Sequence, residues 1–587
     1  MSKNTLESVA TRIVMYSFSA CSALKQLLFC CIAAVLFSGV PALAQDKPAD
    51  PVLGAMNQEM NRSLENLKKT PVPPYFLSYE LTDNRSIRIS SSFGALTENN
   101  DNRSRILDIN LRLGDYTLDN THPMRGRMSY GDFGNRFPSV RIPIENDPDA
   151  LRMALWYETD QEYKQAVERF EQVKANVVVK VEQEDKSGDF SRASAEKYFE
   201  PEATLPFDKE LWEKKIRMYT EPFGKYNLIM RATAHISAEL ETRRYVNSDG
   251  SEIQTSSPLY FMMIFASVKA QDGMELPLHK TYMTFRPEGL PDDATVLKDV
   301  DNLIQTLLAL RNAPLAEPYT GPAILSGRAS AVFFHEIFGH RIEGQRQKNE
   351  DEAQTFKKKI NQSVLPDFLS VYSDPALKEI HGNELMGHYL YDNEGVKAQR
   401  LNVVESGILK NFLMSRSPIE GFPQSNGHGR HQQGYAVVAR QSNLVIESKK
   451  MLSKADLKKM LIEQVSAANK PYGLIFEDIE GGFTFTQRSM PNAFNVLPTV
   501  VYRIYTDGRE ELVRGVDLIG TPMIAFSKIA EADDEMGIFN GICGAESGSV
   551  PVSAVSPGLL ISQIEVQRKE KSQERAPLLP PPSLENK

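Results

Sequence analysis

The stretch Ser330 to Gln347, "SAVFFHEIFGHRIEGQRQ", sets His335 beside Glu336 and places His340 five residues after the first histidine. Two imidazoles and an adjacent carboxylate are parts from which a hydrolytic metal centre is built. The imidazoles hold the ion, and the carboxylate takes a proton from water. The familiar spacing is H-E-x-x-H, which puts both histidines on one helix face. Here the spacing is H-E-x-x-x-H. On a regular helix, residues five apart differ in direction by about 140° and do not converge. One π-type turn, with i→i+5 bonding, brings them back into line. Gly339, immediately before His340, permits such a local distortion. The segment "SGRASAVFFHEIFGHRIEG" otherwise reads as a helix, with Ser326 able to cap its start.

A catalytic zinc takes three protein ligands and leaves a fourth position for water. Candidates for the third ligand are Cys543, Glu343, His381, His388, His428 and His431. Zinc favours nitrogen and thiolate donors. Cys543 is the one cysteine beyond an N-terminal leader that holds Cys21, Cys30 and Cys31. A lone thiol cannot form an internal disulfide, so it is inert, paired to another chain, or bound to metal. Its surroundings, "GIFNGICGAESGS", contain four glycines and read as a loop able to approach an ion closely. Glu343 is the second choice as ligand, or else supports a histidine from behind. Glu336 is placed to act as general base.

Several elements must hold these groups in place. The chain has 587 residues, too many for one ordinary core, so two domains with appendages are expected. Its 41% hydrophobic and 24% charged residues are the proportions of a globular protein, not of a disordered one. The net charge of −9, without a long basic run, argues against nucleic acid as a partner. Lys25, the apolar run "LLFCCIAAVLFSGV" and Ala42-Leu43-Ala44 read as a secretory signal over residues 1–44, cleaved after Ala44. Its apolar run is shorter than the roughly 20 residues that span a bilayer. The mature chain is therefore expected beyond the inner membrane, in a periplasm. The alternative is a membrane-anchored chain with an uncleaved signal.

From Tyr75 to Gly114 apolar residues alternate. Ile87 and Ile89 share a face, as do Leu107, Ile109, Leu111 and Leu113, which predicts antiparallel strands with one wet face. Residues 149–175 have helical spacing. Residues 181–204 are charged and weakly patterned, an exposed excursion. Asp249-Gly250 and Asp507-Gly508 each mark a hairpin turn. The segment "DATVLKDVDNLIQTLLALRNA" predicts another helix. The tail "APLLPPPSLENK" is Pro-rich and is expected to lack fixed structure.

Four ordered blocks are similar to the TldD/PmbA family of zinc metallopeptidases, over roughly Glu317 to Val566. They are "YTGPAILSGRASAVFFHEIFGHRIEG"; "YLYDNEGVKAQRLNVVESGILKNFLMSR", with its D-x-E-G; "SNGHGRHQQGYAVVARQSNLVIE"; and "VRGVDLIGTPMIAFSKIAEADDE" with "GICGAESGSVPVSAVSPGLLI". The resemblance implies Zn2+ as cofactor, with His335, His340 and Cys543 as its ligands and Glu336 as the base. The complete motif resembles the catalytic, TldD-like type. The chain departs from the family's usual C-G-K-x-G-Q in carrying Ala545 and Glu546 after Cys543-Gly544.

An α+β fold is implied. An N-terminal α/β domain with an antiparallel sheet would cover 45–315. A β-rich C-terminal domain carrying the metal helix against a sheet or barrel would cover 316–570, with a disordered tail over 571–587. Short or unfolded peptides are the implied substrate, and a homo- or heterodimer with a TldD/PmbA-like subunit the implied assembly. His428, Arg430 and His431, in the polar, Gly-flexed "NGHGRH", are candidates for substrate binding. The competing function is a non-catalytic subunit that binds peptides or activates a partner.

Overall fold

The computed structural model describes residues 50–124, 140–178, 185–488 and 494–570, together with Leu579. The expected signal over 1–44 and, apart from Leu579, the Pro-rich tail over 571–587 lie outside the described residues. No helix among them is long and apolar enough to cross a membrane.

Two large sheets organise the chain, and the fold is α+β. The first contains β1 (Pro74–Ser92), β2 (Ala95–Leu113), β3 (Ile229–Asn247), β4 (Glu252–Lys269) and β5 (Glu275–Thr284), in the antiparallel order β2-β1-β3-β4-β5. The Asp249-Gly250 turn joins β3 to β4, with Gly250 at φ +100°. Helix α1 (Pro51–Leu67) and helix α2 (Pro148–Val178) pack with Leu77, Tyr79, Leu107 and Leu111 on one face. Helix α3 (Lys209–Thr220) and helix α4 (Asp293–Asn312) cover Ile236, Met262 and Ile264. The caps of α3 and α4 are Asp208 and Asp292, each accepting from a backbone N–H of the first turn.

The alternation predicted for β1 and β2 holds, and its polar face is wet at Arg85, Arg88 and 99–103 but covered at the other end. Glu80, Thr82 and Asp108 are all buried. Loops from the second half of the chain cover them: Arg243 of β3 donates to Glu80 and to the backbone carbonyls of Tyr391 and Asp392. Residues 185–191 are likewise not an exposed excursion. Asp185, Asp189, Phe190 and Ser191 are buried. Their charges misled because backbone and ring N–H groups satisfy them: Asp185 accepts from the Glu420 N–H, and Asp189 from Asp119 N–H and the His122 ring. Residues 179–184 lie outside the described residues.

The second sheet is built from β6 (Tyr319–Leu325), β7 (Leu369–Ser373), β8 (Leu401–Glu405), β9 (Asn443–Ser448), β10 (Tyr472–Thr484), β11 (Phe494–Tyr505), β12 (Val516–Gly520), β13 (Ile529–Ala545) and β14 (Gly548–Arg568). Its path runs β8-β7-β9-β14-β12-β11-β10-β6, with β13 paired to β14. Strand β6 also pairs with β14, so β14, β12, β11, β10 and β6 close into a ring. Helix α5 (Gly327–Phe333) leaves the end of β6 and packs into the largest core. From Val52 onward the chain clusters as one compact unit, and its two sheets are drawn from 74–284 and from 319–568.

Candidate metal centre

Three contacts fix where α5 begins. The Ser326 hydroxyl caps it by accepting from the Ala329 N–H and donates to the Glu477 carbonyl on β10. Gly327 lies against the backbone of Gly537 on β13, with no room for a Cβ on either residue. Ser330 is hydrogen-bonded to Ser556 on β14 at 2.7 Å. Beyond the first turns, Phe333 packs edge-on with Phe494 and Phe526, Phe338 edge-on with Phe526 and tilted against Phe356, and Phe334 stacks on Phe526. The helix is thus held on three sides before it reaches its histidines.

Residues Phe334–Phe338 form a π-turn, in which the Gly339 N–H reaches the Phe334 carbonyl five residues back. A 3-10 turn, Gly339–Ile342, follows. The five-residue gap is absorbed there, and the two imidazole centroids end 5.3 Å apart. Gly339 itself keeps ordinary helical angles, φ −59° and ψ −46°. It is small for a different reason than conformational freedom: a Cβ would overlap the carboxamide of Gln441. That carboxamide donates to the His335 carbonyl at 3.2 Å.

Cys543 lies on strand β13 near the β13–β14 turn, opposite Val550, and not on a flexed loop. Its Sγ lies 3.3 Å from His340 Nε2. One donor atom from each of His335, His340 and Cys543 falls within 4.8 Å of the others. All three side chains are buried, and His335 Nδ1 has no hydrogen-bond partner. Burial alone would hold the Cys543 thiol up, but the two imidazoles pull it well below its ordinary value. Burial would likewise lower both imidazoles, yet the Cys543 sulfur raises them. A thiolate and two imidazoles crowded in a dry pocket form a donor set of the kind that holds zinc. The residues fit the ion.

Glu336 adjoins this cluster and is 8% exposed. Burial pushes its carboxyl up, against the pull of His335 and His340. Behind the cluster lies Glu343, fully buried. Its carboxylate faces His340 Nδ1 at 3.3 Å and accepts from Arg346 Nε at 2.8 Å. Arg440 Nε is 3.5 Å from the same carboxylate, an ion pair without hydrogen-bond geometry. Arg440 also donates to the Cys543 carbonyl at 2.7 Å and to Ser547 and Gly548, clamping the hairpin tip. Arg346 reaches on to Glu546 at 2.7 Å. Glu343 therefore supports His340 from behind. Burial would raise its carboxyl, but His340 and Arg346 hold it well below the usual range.

The other candidate residues are placed elsewhere. His381 is exposed in a short turn, and His388 faces the Pro375 carbonyl. The "NGHGRH" segment is buried, not a solvated loop. His428 Nε2 is bonded to Ser373 and its Nδ1 faces Asn426. Arg430 donates to the carbonyls of Gln441 and Pro551. His431 pairs with Glu80 at 3.0 Å. Each of the three spends its hydrogen bonds on partners inside the fold. The sequence reading missed Arg440, Gln441 and Arg346. An Arg-Gln pair following "YAVVA" between buried strands was the available signal.

A buried thiolate–bis-imidazole cluster with a carboxylate beside it is a donor set for a metal ion with a proton acceptor at hand, the kind of site found in metal-dependent hydrolases. Comparison with known proteins is consistent with that class. A family model described as the PmbA/TldA metallopeptidase C-terminal domain matches residues 318–568. A metalloprotease of Archaeoglobus fulgidus is 27% identical over 269 residues, covering 45% of this chain and 58% of that protein. A zinc metalloprotease TldD homolog of Saccharolobus solfataricus is 21% identical over 263 residues, covering 43% and 53%. The matched stretch thus spans little more than half the length of either relative. The crystal structure of TldE from Thermococcus kodakarensis has the same fold, with a TM-score of 0.56 at 14% identity, over 87% of this chain and all of that one. The likeness to the TldD/PmbA family is carried by the β-rich second half, where residues 318–568 match the family's C-terminal metallopeptidase domain.

Proposed function

We propose that the chain is a zinc-dependent peptidase acting on short or unfolded peptides. The observation that carries this reading is the convergence of His335, His340 and Cys543 next to a buried carboxylate. His335, His340 and Cys543 would hold the ion, with Glu343 orienting the His340 ring and Arg440 fixing the strand that bears Cys543. Bound zinc supplies Lewis acidity to a carbonyl oxygen and makes its water a nucleophile near neutral pH. The Glu336 carboxylate would accept a proton from an attacking water and hand it to the leaving amine. Its raised carboxyl, a consequence of burial first, suits it to both transfers. Phe483 and Phe485 stand partly exposed on and just beyond the end of β10, next to Gly482, whose N–H faces Glu336. They offer apolar surface for peptide side chains.

The chain would work as a homo- or heterodimer with a TldD/PmbA-like subunit. The leader in its sequence would carry it across the inner membrane to the periplasm. Metal analysis of gently purified protein, alongside digestion of an unbiased peptide library, tests the reading. Stoichiometric zinc with peptide cleavage abolished by chelation and restored by zinc is expected. Zinc without cleavage by any assembly of the chain would instead identify a peptide-binding subunit.

A further inference from the structure

A second cluster of donor groups lies away from the first, where the two sheets meet. Glu80 on β1 and Asp108 on β2 are direct cross-strand partners. Like charges in that position repel, and here both are buried. His431, from the loop after the Gly429–Arg430 bridge, completes the group: one donor atom from each residue lies within 4.8 Å of the other two. Among the described residues, only this group and the histidine–cysteine cluster meet that condition.

The polar atoms of this group are nearly all accounted for, with one exception. Glu80 Oε2 accepts from Arg243 at 2.9 Å, and its Oε1 faces His431 Nε2 and Asn393. Asp108 Oδ1 accepts from the Gly434 N–H at 2.7 Å. Asp108 Oδ2 is buried and has no partner at all, although Asp108 is only 6% exposed. Arg243 and the His431 ring both pair with Glu80, while Asp108 keeps one oxygen without a hydrogen-bond partner. An unpaired buried carboxylate oxygen costs several times what a made hydrogen bond contributes.

These residues border a space. A cavity of about 40 Å³ is lined by Glu80, Asp108, His431, Asn393 and Glu394. One water needs about 10–15 Å³ measured in this way, so an ion with a water or two fits. His431 Nδ1 lies 2.6 Å from the Tyr435 carbonyl and Nε2 3.0 Å from Glu80 Oε1, so both nitrogens carry protons in the ion-free chain and Nε2 is the one that would release its proton to an ion. A ring N–H fixed on a backbone carbonyl is the usual support behind a metal-bound histidine.

We propose that Glu80, Asp108 and His431 bind a second divalent cation, of the zinc or manganese class. One imidazole nitrogen with carboxylate oxygens selects that class over calcium or magnesium. The ion would tie β1 and β2 of the first sheet to the 429–439 loop of the second half, independently of whether the first cluster is catalytic.

The full chain, stripped by chelator and refilled with Zn2+, Mn2+ or Co2+ alone, tests this. A cobalt thiolate charge-transfer band counts only the ion bound at Cys543, because the second site has no sulfur. Total cobalt exceeding the thiolate-bound amount by one equivalent per chain is expected. In Asp108→Asn that second equivalent should vanish while the thiolate band stays. The rise in melting temperature on adding Mn2+ should vanish with it. Cobalt fully accounted for by the thiolate band in the wild type would overturn the proposal, as would equal metal content in wild type and Asp108→Asn. Should the variant fail to fold, the wild-type cobalt balance decides alone.

Discussion

Gly339 and Gln441 occupy one space: the carboxamide of Gln441 lies where a side chain on Gly339 would begin, and it bonds to the His335 carbonyl. The glycine between the two histidines is therefore a packing requirement. Without it the Gln441 side chain would have to leave, and the π-turn that aligns His335 with His340 would lose its outside support.

Gly339→Ala is accordingly expected to cost about 1–3 kcal/mol, the usual range for overpacking a filled core, and to lower zinc content. Removing the obstacle in Gly339→Ala/Gln441→Ala should recover part of that loss. Denaturant melts of the two singles and the double form a cycle, and strict additivity within about 0.5 kcal/mol would show that the two residues do not compete.

Glu336→Gln keeps the shape of the side chain and removes its ability to take a proton. Zinc content should be unchanged, while peptide hydrolysis should fall by about a hundred- to ten-thousand-fold. Full activity in this variant would rule out Glu336 as the base.

Glu343→Gln leaves His340 Nδ1 and Arg346 facing a neutral amide in a closed pocket. Loss of such a supporting carboxylate typically weakens metal affinity about 10–100-fold. Competition with a chromophoric chelator measures this directly. An unchanged affinity would mean that Glu343 serves only the arginines.

His428 sets an acid limit. Burial pushes its imidazole down to about 3, below an unfolded value of about 6.5. The folded state thus refuses a proton that the unfolded chain accepts. Stability from this residue is whole above the unfolded value and drains as pH falls from there toward the folded one, by up to about 1.4 kcal/mol per unit. Urea melts at about pH 7.5 and about pH 5.5 should show a smaller decline for His428→Gln than for the wild type. Parallel declines would refute the assignment.

The sequence alone yielded the local elements and the pair of histidines, because both are matters of short-range spacing. The Asp-Gly turns, the Ser326 cap and the alternation of β1 and β2 need only a few neighbours to be read. The five-residue gap even demanded the π-turn that is found at Phe334–Phe338. What short-range patterns could not reveal was which polar groups meet across the chain. Glu80, Asp108 and His431 each look like surface residues by type, and all are interior because 351 positions of chain separate partners that touch. Arg440 and Gln441 read as polar residues in a loop, yet Arg440 is among the most completely buried large side chains. The same distance hid the strand setting of Cys543, whose glycines suggested a loop.

A donor set divided between residues 335 and 340 and a sulfur at 543 also fixes an order of events. Two imidazoles sit within one turn of each other, but the thiolate comes from a hairpin that must first find its place on β14 and be pinned by Arg440. Closing a loop of that length precedes any reward from the contact, so such pairings form late. A growing polypeptide that has not yet emitted its final strands therefore holds an incomplete ligand trio. Any hydrolytic power stored in this arrangement waits for the strand that bears Cys543.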